Sequence, residues 1–234
     1  MNAATWRRRR DRVALPPQMV FEHVVFDLDG TLIDSRVDLA AAVNHALRTL
    51  QLPELPVETI CGYIGEGARR LVQRALGAAH QDRLDEGLAL FMTFYRAHLL
   101  DHTRAYPGID ALLAALAAMG VTLSVLSNKP AAMSRAILAG LDLLHRFVVV
   151  LGGDSFLERK PDPAGIDYVC NLTHTPHERL LVVGDSAIDA QTARAARVAF
   201  CGVAWGLAPA SLRAAAEPII DRPSELLAIV ARGF

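Results

Sequence analysis

Residues 23–35 read His-Val-Val-Phe-Asp-Leu-Asp-Gly-Thr-Leu-Ile-Asp-Ser. His23 to Phe26 is a short β-branched and aromatic run with the composition of a buried strand, and it stops on Asp27, Asp29 and Gly30, residues that end strands and open turns. Open α/β sheets bind ligands beyond the carboxyl ends of their strands, so two carboxylates at i and i+2 in this place are a candidate site as well as a turn. The competing reading, that such residues only cap the next helix, applies to any one strand end taken alone.

Outward from this stretch the same alternation returns. Strand-like runs recur at Val121 to Ser127, Phe147 to Leu151, Leu180 to Val183 and Val198 to Val203. Helical segments lie between or beside them at Ile109 to Met119, Pro130 to Leu138, Pro161 to Leu172 and Ala187 to Ala196. Strands separated by helices of about ten residues imply right-handed βαβ crossovers and a parallel sheet with helices on both faces. The first strand departs from this rhythm. Val37 to Leu50, Pro56 to Tyr63, Ala68 to Leu76 and Gln81 to Leu100 all follow it with helical periodicity before another strand appears. A block of that length is an inserted helical domain and not a loop, entered near Asp34-Ser35 and left near Tyr106-Pro107-Gly108.

Composition narrows the functional classes. The chain has 234 residues, 52% hydrophobic and 21% charged, with a net charge of -1, so it is globular and lacks the global basic field that draws nucleic acid or anionic membrane. Ala111 to Asn128 is uncharged for 18 residues, the length of a spanning helix, but Gly120 divides it into a helical half and a strand-like half. The three cysteines, Cys61, Cys170 and Cys201, are too scattered for a disulfide framework or a metal knuckle, which implies reduced thiols and a cytoplasmic setting. Five arginines crowd positions 7 to 12, and no apolar core of a secretory signal follows them. Residues 1–19 therefore read as a disordered lead, or as a start placed ahead of Met19; a phosphate- or membrane-binding arm is the sharper alternative.

Four strand-end segments carry the chemistry: Asp27 to Ser35, Ser127-Asn128-Lys129, Lys160-Pro161-Asp162-Pro163 and Gly184-Asp185-Ser186-Ala187-Ile188-Asp189. Carboxylates from two strand ends near one point repel and call for a cation. An all-oxygen set without His or Cys favours a hard ion such as Mg2+. The chain uses 22 arginines and only two lysines, and both lysines, Lys129 and Lys160, lie in these segments. A compact ammonium beside a carboxylate-bound metal, with a hydroxyl and an amide from Ser127 and Asn128, makes a site for a phosphoryl group.

The set Asp-x-Asp-Gly-Thr-Leu-x-Asp-Ser, Ser-Asn-Lys, Lys-Pro-Asp-Pro and Gly-Asp-Ser-x-x-Asp, in this order, resembles the four motifs of the haloacid dehalogenase-like phosphatase superfamily over about Val20 to Val230. The helical insertion, with Ile64-Gly65-Glu66-Gly67-Ala68-Arg69-Arg70-Leu71, resembles the small cap of the phosphoglycolate phosphatase branch. The resemblance implies a Rossmann-like parallel-sheet α/β core over 20–34 and 107–234 and an all-helical cap over 35–106. It implies Asp27 as nucleophile, forming an aspartyl-phosphate, and Asp29 as the acid and base. Mg2+ would be held by Asp27, the Asp29 carbonyl and Asp185, with Asp189 supporting the metal or Lys160. Ser127 and Lys160 would hold phosphoryl oxygens. Gly30, Thr31, Asn128, Gly65, Gly67, Arg69 and Arg70 would surround the substrate, with one of the two arginines on a carboxylate.

The function implied is Mg-dependent hydrolysis of a small phosphorylated metabolite, 2-phosphoglycolate first, by a monomer or homodimer with neither nucleic acid nor membrane as partner. The alternatives are a sugar-phosphate mutase, a phosphatase for another small metabolite, and a non-catalytic phosphate-binding module. Asp29 argues against a halide leaving group, which needs no proton. The absence of lysine between 34 and 107 argues against a Schiff-base phosphonate chemistry. Gly67, Pro176 and Leu207 stand six residues after the three cysteines, where a cysteine phosphatase has arginine. His174 and His177 have a metal-like spacing but sit on a threonine-rich loop and read as surface residues.

Overall fold

The computed structural model describes residues 19–208, 212 and 218–234; the arginine-rich lead lies outside them. Strands β1 (His23–Phe26), β4 (Thr122–Leu126), β5 (Val149–Leu151), β6 (Leu180–Gly184), β7 (Ala199–Val203) and β8 (Ile219–Ile220) form one parallel sheet in the order β5-β4-β1-β6-β7-β8. β1 lies in the middle, paired in parallel with β4 on one side and β6 on the other. The chain fills one side of the sheet after β1 and the other after β6, so the crevice opens at the carboxyl end of β1. Helices α5 (Ile109–Ala118), α6 (Ala131–Gly140), α7 (Ala164–Thr173), α8 (Ala187–Ala196) and α9 (Leu226–Arg232) cover the sheet.

The strands are apolar almost throughout because both faces are covered. Val24, Phe26, Leu113, Leu116 and Ile137 pack in one cluster, and Val25, Ile166, Leu180 and Val182 in a second on the opposite face. Each such fully buried side chain contributes about 1.5–3 kcal/mol. The exceptions include His23, fully buried on β1, with Nε2 2.8 Å from the hydroxyl of Ser124 on β4 and Nδ1 3.2 Å from that of Thr173. Burial lowers its pKa from 6.5 to about 4. The unfolded chain takes up the proton first as pH falls, so the stability due to the neutral ring is complete above about 6.5 and gone near 4. That shift corresponds to about 3 kcal/mol. Denaturant midpoints should fall accordingly across this range in the native chain and fall much less in a His23→Gln variant; equal slopes would exclude His23 as the origin.

Between β1 and β4 lie helices α1 (Arg36–Thr49), α2 (Val57–Cys61), α3 (Ala68–Leu76) and α4 (Leu84–Ala97). They bury Leu39, Val43, Leu47, Leu71, Val72, Phe91 and Tyr95 among themselves, and Met133 of α6 is the one fully buried residue from the sheet side in that cluster. The outgoing and returning chains are joined by a two-residue antiparallel pair, β2 (Ile33–Asp34) with β3 (Arg104–Ala105). Asp38, buried in the first turn of α1, accepts hydrogen bonds from the backbone N–H of His102 and Thr103 and from the Thr103 hydroxyl at 2.7–3.0 Å, binding the return strand to the outgoing helix. Sequence pattern does not register β2, β3 or β8, because two residues are too few to display an alternation.

Candidate active site

The carboxyl ends of β1, β4 and β6 deliver Asp27, Ser127 and Asp185 to one place. After β1 the chain turns through Gly30 at φ +87, and a Cβ there would meet Asp185 Oδ2 at 2.1 Å, so both the backbone conformation and the adjacent carboxylate exclude a side chain. Asp27, Asp185 and Asp189 each offer an oxygen within 4.8 Å of the others, and all three are buried. Lys160, from the segment between β5 and α7, donates to Asp27 Oδ1 and to Asp189 Oδ1, both at 2.6 Å. Asp189 spends its second oxygen on Ser186 N–H and Oγ at the start of α8, in a capping box. It therefore supports Lys160 and helix α8, while Asp27 Oδ2 and Asp185 Oδ1 keep lone pairs without a hydrogen bond among the described residues. The Asp29 carbonyl likewise accepts none.

Three buried carboxylates face one ammonium. Burial pushes the Asp27 carboxyl up to about 7; Lys160 opposes the rise and the Asp189 and Asp29 charges add to it. Burial, followed by the charges of Asp27 and Asp189, also raises Asp185. For Lys160 burial works against the charge, but the Asp189 and Asp27 carboxylates prevail and hold its pKa above the ordinary lysine value. The surplus of two negative charges is what one divalent cation neutralises, and the donors are all oxygen. The residues present fit a hard metal ion.

Asp29 stands apart from the cluster. Its Oδ1 accepts from Lys129 Nζ at 2.5 Å and from Ser35 Oγ at 2.5 Å. Lys129 also donates to Tyr95 Oη of α4 at 2.7 Å. The sequence singles out Lys129 by its rarity but gives it no partner, and nothing in it marks Tyr95. The rarity of lysine was the available signal; nothing in the spacing of Asp29, Lys129 and Tyr95 tells that they meet.

These groups line a cavity of about 50 Å3, bounded on the helical side by Ile64, Gly65, Gly67, Leu71, Phe91 and Tyr95. Gly67, at φ +87, brings α3 against the Asn128 carbonyl, 3.2 Å from where a Cβ would stand. Asn128 Nδ2 donates to the carbonyls of Gly65 at 2.9 Å and Lys160 at 3.2 Å, so its amide joins three segments, and its buried Oδ1 has no partner. Thr31 Oγ1 is also buried and unpartnered, while the Thr31 carbonyl accepts from Trp205 Nε1 at 3.1 Å. Arg69 and Arg70 are not brought to the aspartates. Arg69 pairs with Asp85 and Arg70 with Gln73, both on the exterior, and with Arg159 they flank a separate open groove of about 820 Å3. His174 ends α7 and His177 pairs with Asp167 at 2.9 Å, each remote from the cavity lining.

The sequence pattern of haloacid dehalogenase-like hydrolases matches residues 24–203. The chain is 42% identical over 178 residues to the phosphoglycolate phosphatase of Nitrosospira multiformis, over 74% of this chain and 78% of that one. It is 38% identical over 215 residues to the plasmid phosphoglycolate phosphatase of Cupriavidus necator, over 88% and 92%. A crystal structure described as a predicted phosphoglycolate phosphatase of Haemophilus somnus 129PT has a TM-score of 0.84 at 32% identity, over 91% of this chain and 99% of that one. The matched span contains the ends of β1, β4 and β6 that deliver Asp27, Ser127 and Asp185, and on that agreement of sequence, fold and carboxylate cluster the chain belongs to the haloacid dehalogenase-like hydrolase family.

Proposed function

We propose that this protein, a phosphoric monoester hydrolase by its family and relatives, is a Mg2+-dependent phosphatase that converts 2-phosphoglycolate to glycolate and phosphate through an aspartyl-phosphate. The observation that carries the reading is Asp27 with Lys160 2.6 Å from its carboxylate and Asp29 lining the same cavity. In this reading residues 20–34 and 107–234 form the catalytic core, residues 35–106 a cap over it, and the protein works in the cytoplasm as a monomer or homodimer. Among the described residues no helix is long and apolar enough to cross a membrane.

Asp27 attacks phosphorus through one carboxylate oxygen, and Lys160, 2.6 Å from that carboxylate, steadies it. Lys160 and the Ser127 hydroxyl, both lining the cavity, take phosphoryl oxygens, and Gly30 lets the backbone approach them. Asp29 gives a proton to the leaving glycolate oxygen and then removes one from the water that attacks the aspartyl-phosphate. Asp27, Asp185 and the Asp29 carbonyl would hold Mg2+, which supplies positive charge where an anionic nucleophile must meet an anionic ester.

The relatives named phosphoglycolate phosphatase support a short ester over a hexose phosphate. Gly65, Gly67 and Asn128 shape the wall around the substrate, Thr31 lies buried outside that lining, and Arg69 and Arg70 are assigned to the approach of the anion through the outer groove. The test is a panel containing 2-phosphoglycolate and hexose phosphates, read for free phosphate and for isomerised sugar. The expected result is phosphate release from 2-phosphoglycolate with a kcat/KM about 10-fold or more above any hexose phosphate. Isomerised sugar as the main product would make the enzyme a mutase, and no turnover of any ester would make it a binding module.

A further inference from the structure

Asp29 is gripped from both arms of the helical unit. Ser35, which opens α1, and Lys129, which is held by Tyr95 of α4, both donate to the same carboxylate oxygen, Oδ1, at 2.5 Å. Oδ2 accepts no hydrogen bond among the described residues. Tyr95 is 1% exposed and stacks on Phe91 with ring centroids 5.5 Å apart, and Lys129 is 6% exposed, so neither donor nor anchor is a surface group free to wander. All of Asp29, Lys129 and Tyr95 border the cavity that contains Asp27. A carboxylate with one oxygen free and the other accepting two hydrogen bonds has its plane set and its proton site chosen.

We infer that Lys129, anchored by the phenol of Tyr95, is a positioning residue that turns Asp29 Oδ2 toward the leaving oxygen, so that the helical unit supplies part of the acid–base machinery. The inference rests on the phosphatase reading above. In the step it governs, the Asp27 oxygen forms a bond to phosphorus, the ester P–O bond breaks with its electron pair going to the leaving oxygen, and that oxygen receives the proton from Asp29 Oδ2. A leaving group that departs as a stable anion needs no such proton. The loss caused by misplacing Asp29 therefore depends on the leaving group, whereas a general loosening of the site does not.

The experiment measures kcat/KM, which reports the phosphorylation step, for 2-phosphoglycolate and for acetyl phosphate in the Mg2+-supplied full chain. Tyr95→Phe removes only the phenol oxygen and retains the ring against Phe91; Lys129→Met removes the ammonium. The expected losses on 2-phosphoglycolate are about 10-fold and about 100-fold, a part of what a general acid contributes, against less than about 3-fold on acetyl phosphate. Equal losses on both substrates, or no loss with Tyr95→Phe, overturn the inference. If Lys129→Met does not fold, Tyr95→Phe decides it alone. A native enzyme that releases phosphate from neither compound overturns the phosphatase reading itself, which is a distinct result from equal losses in the variants.

Discussion

Asp27→Asn should lower turnover of 2-phosphoglycolate by about 10⁴-fold or more, the scale on which loss of a covalent nucleophile acts. The amide matches the carboxylate in shape but brings no negative charge to phosphorus. Folding should survive. Lys160 retains Asp189 at 2.6 Å, and the substitution removes one charge from a buried group of three. Burial and the neighbouring carboxylates already push Asp27 and Asp185 above the carboxylate range, so the metal-free variant should unfold at or above the temperature of the native chain. Phosphate release and thermal unfolding, measured side by side, test both halves. A variant retaining a tenth of the native rate would remove the covalent mechanism.

Chelation is the second large effect. Asp27 and Asp185 each leave an oxygen unbonded among the described residues, beside a single ammonium. EDTA should silence the enzyme and excess Mg2+ should restore it. The same ion should raise the stability of the folded chain, by about 2.7 kcal/mol at 100 times its dissociation constant. Asp185→Asn takes away one of the open oxygens and part of the negative charge, so it should lose this Mg2+-dependent rise in melting temperature as well as the activity. Turnover that persists in EDTA, or an equal Mg2+ effect in Asp185→Asn, would contradict the assignment of the cluster as a metal site.

The readable part of this protein is the part written locally. β1 and the helices Ala68–Leu76 and Ala187–Ala196 have the bounds that their residue patterns indicate, and the parallel sheet follows from strands alternating with helices. Other ends differ by one to three residues: α7 begins at Ala164 and not at Pro161, because Pro163 disfavours a helical backbone at Asp162, whose carboxylate accepts from Ala164 N–H at 2.9 Å. α4 begins at Leu84, with a 3-10 turn over Ala78–Arg83 before it. The hairpin of β2 and β3 is set by pairing across seventy residues of intervening chain and has no local signature.

In the site the contrast is sharper. The identity of the carboxylates, the lysines and the glycines was legible, because a strand end followed by Asp-x-Asp-Gly has few uses other than presenting charge at the edge of a sheet. Their partners were not. Lys160 divides itself between Asp27 and Asp189, Asn128 joins Gly65 to Lys160, and Arg69 and Arg70 turn outward to Asp85 and Gln73.

The amino-acid order alone determined that this is a parallel α/β sheet carrying carboxylates and two lysines at its strand ends, since strand and helix periodicity and turn residues act over a few neighbours. Only the folded chain decided which ammonium serves which carboxylate. Lys129 and Asp29 are separated by 100 positions and Lys160 and Asp27 by 133, and the choice between them depends on how the helices settle on the sheet and close out water. A charge with no water must find an opposite charge within reach, and reach is a property of packing in space and not of order along the chain.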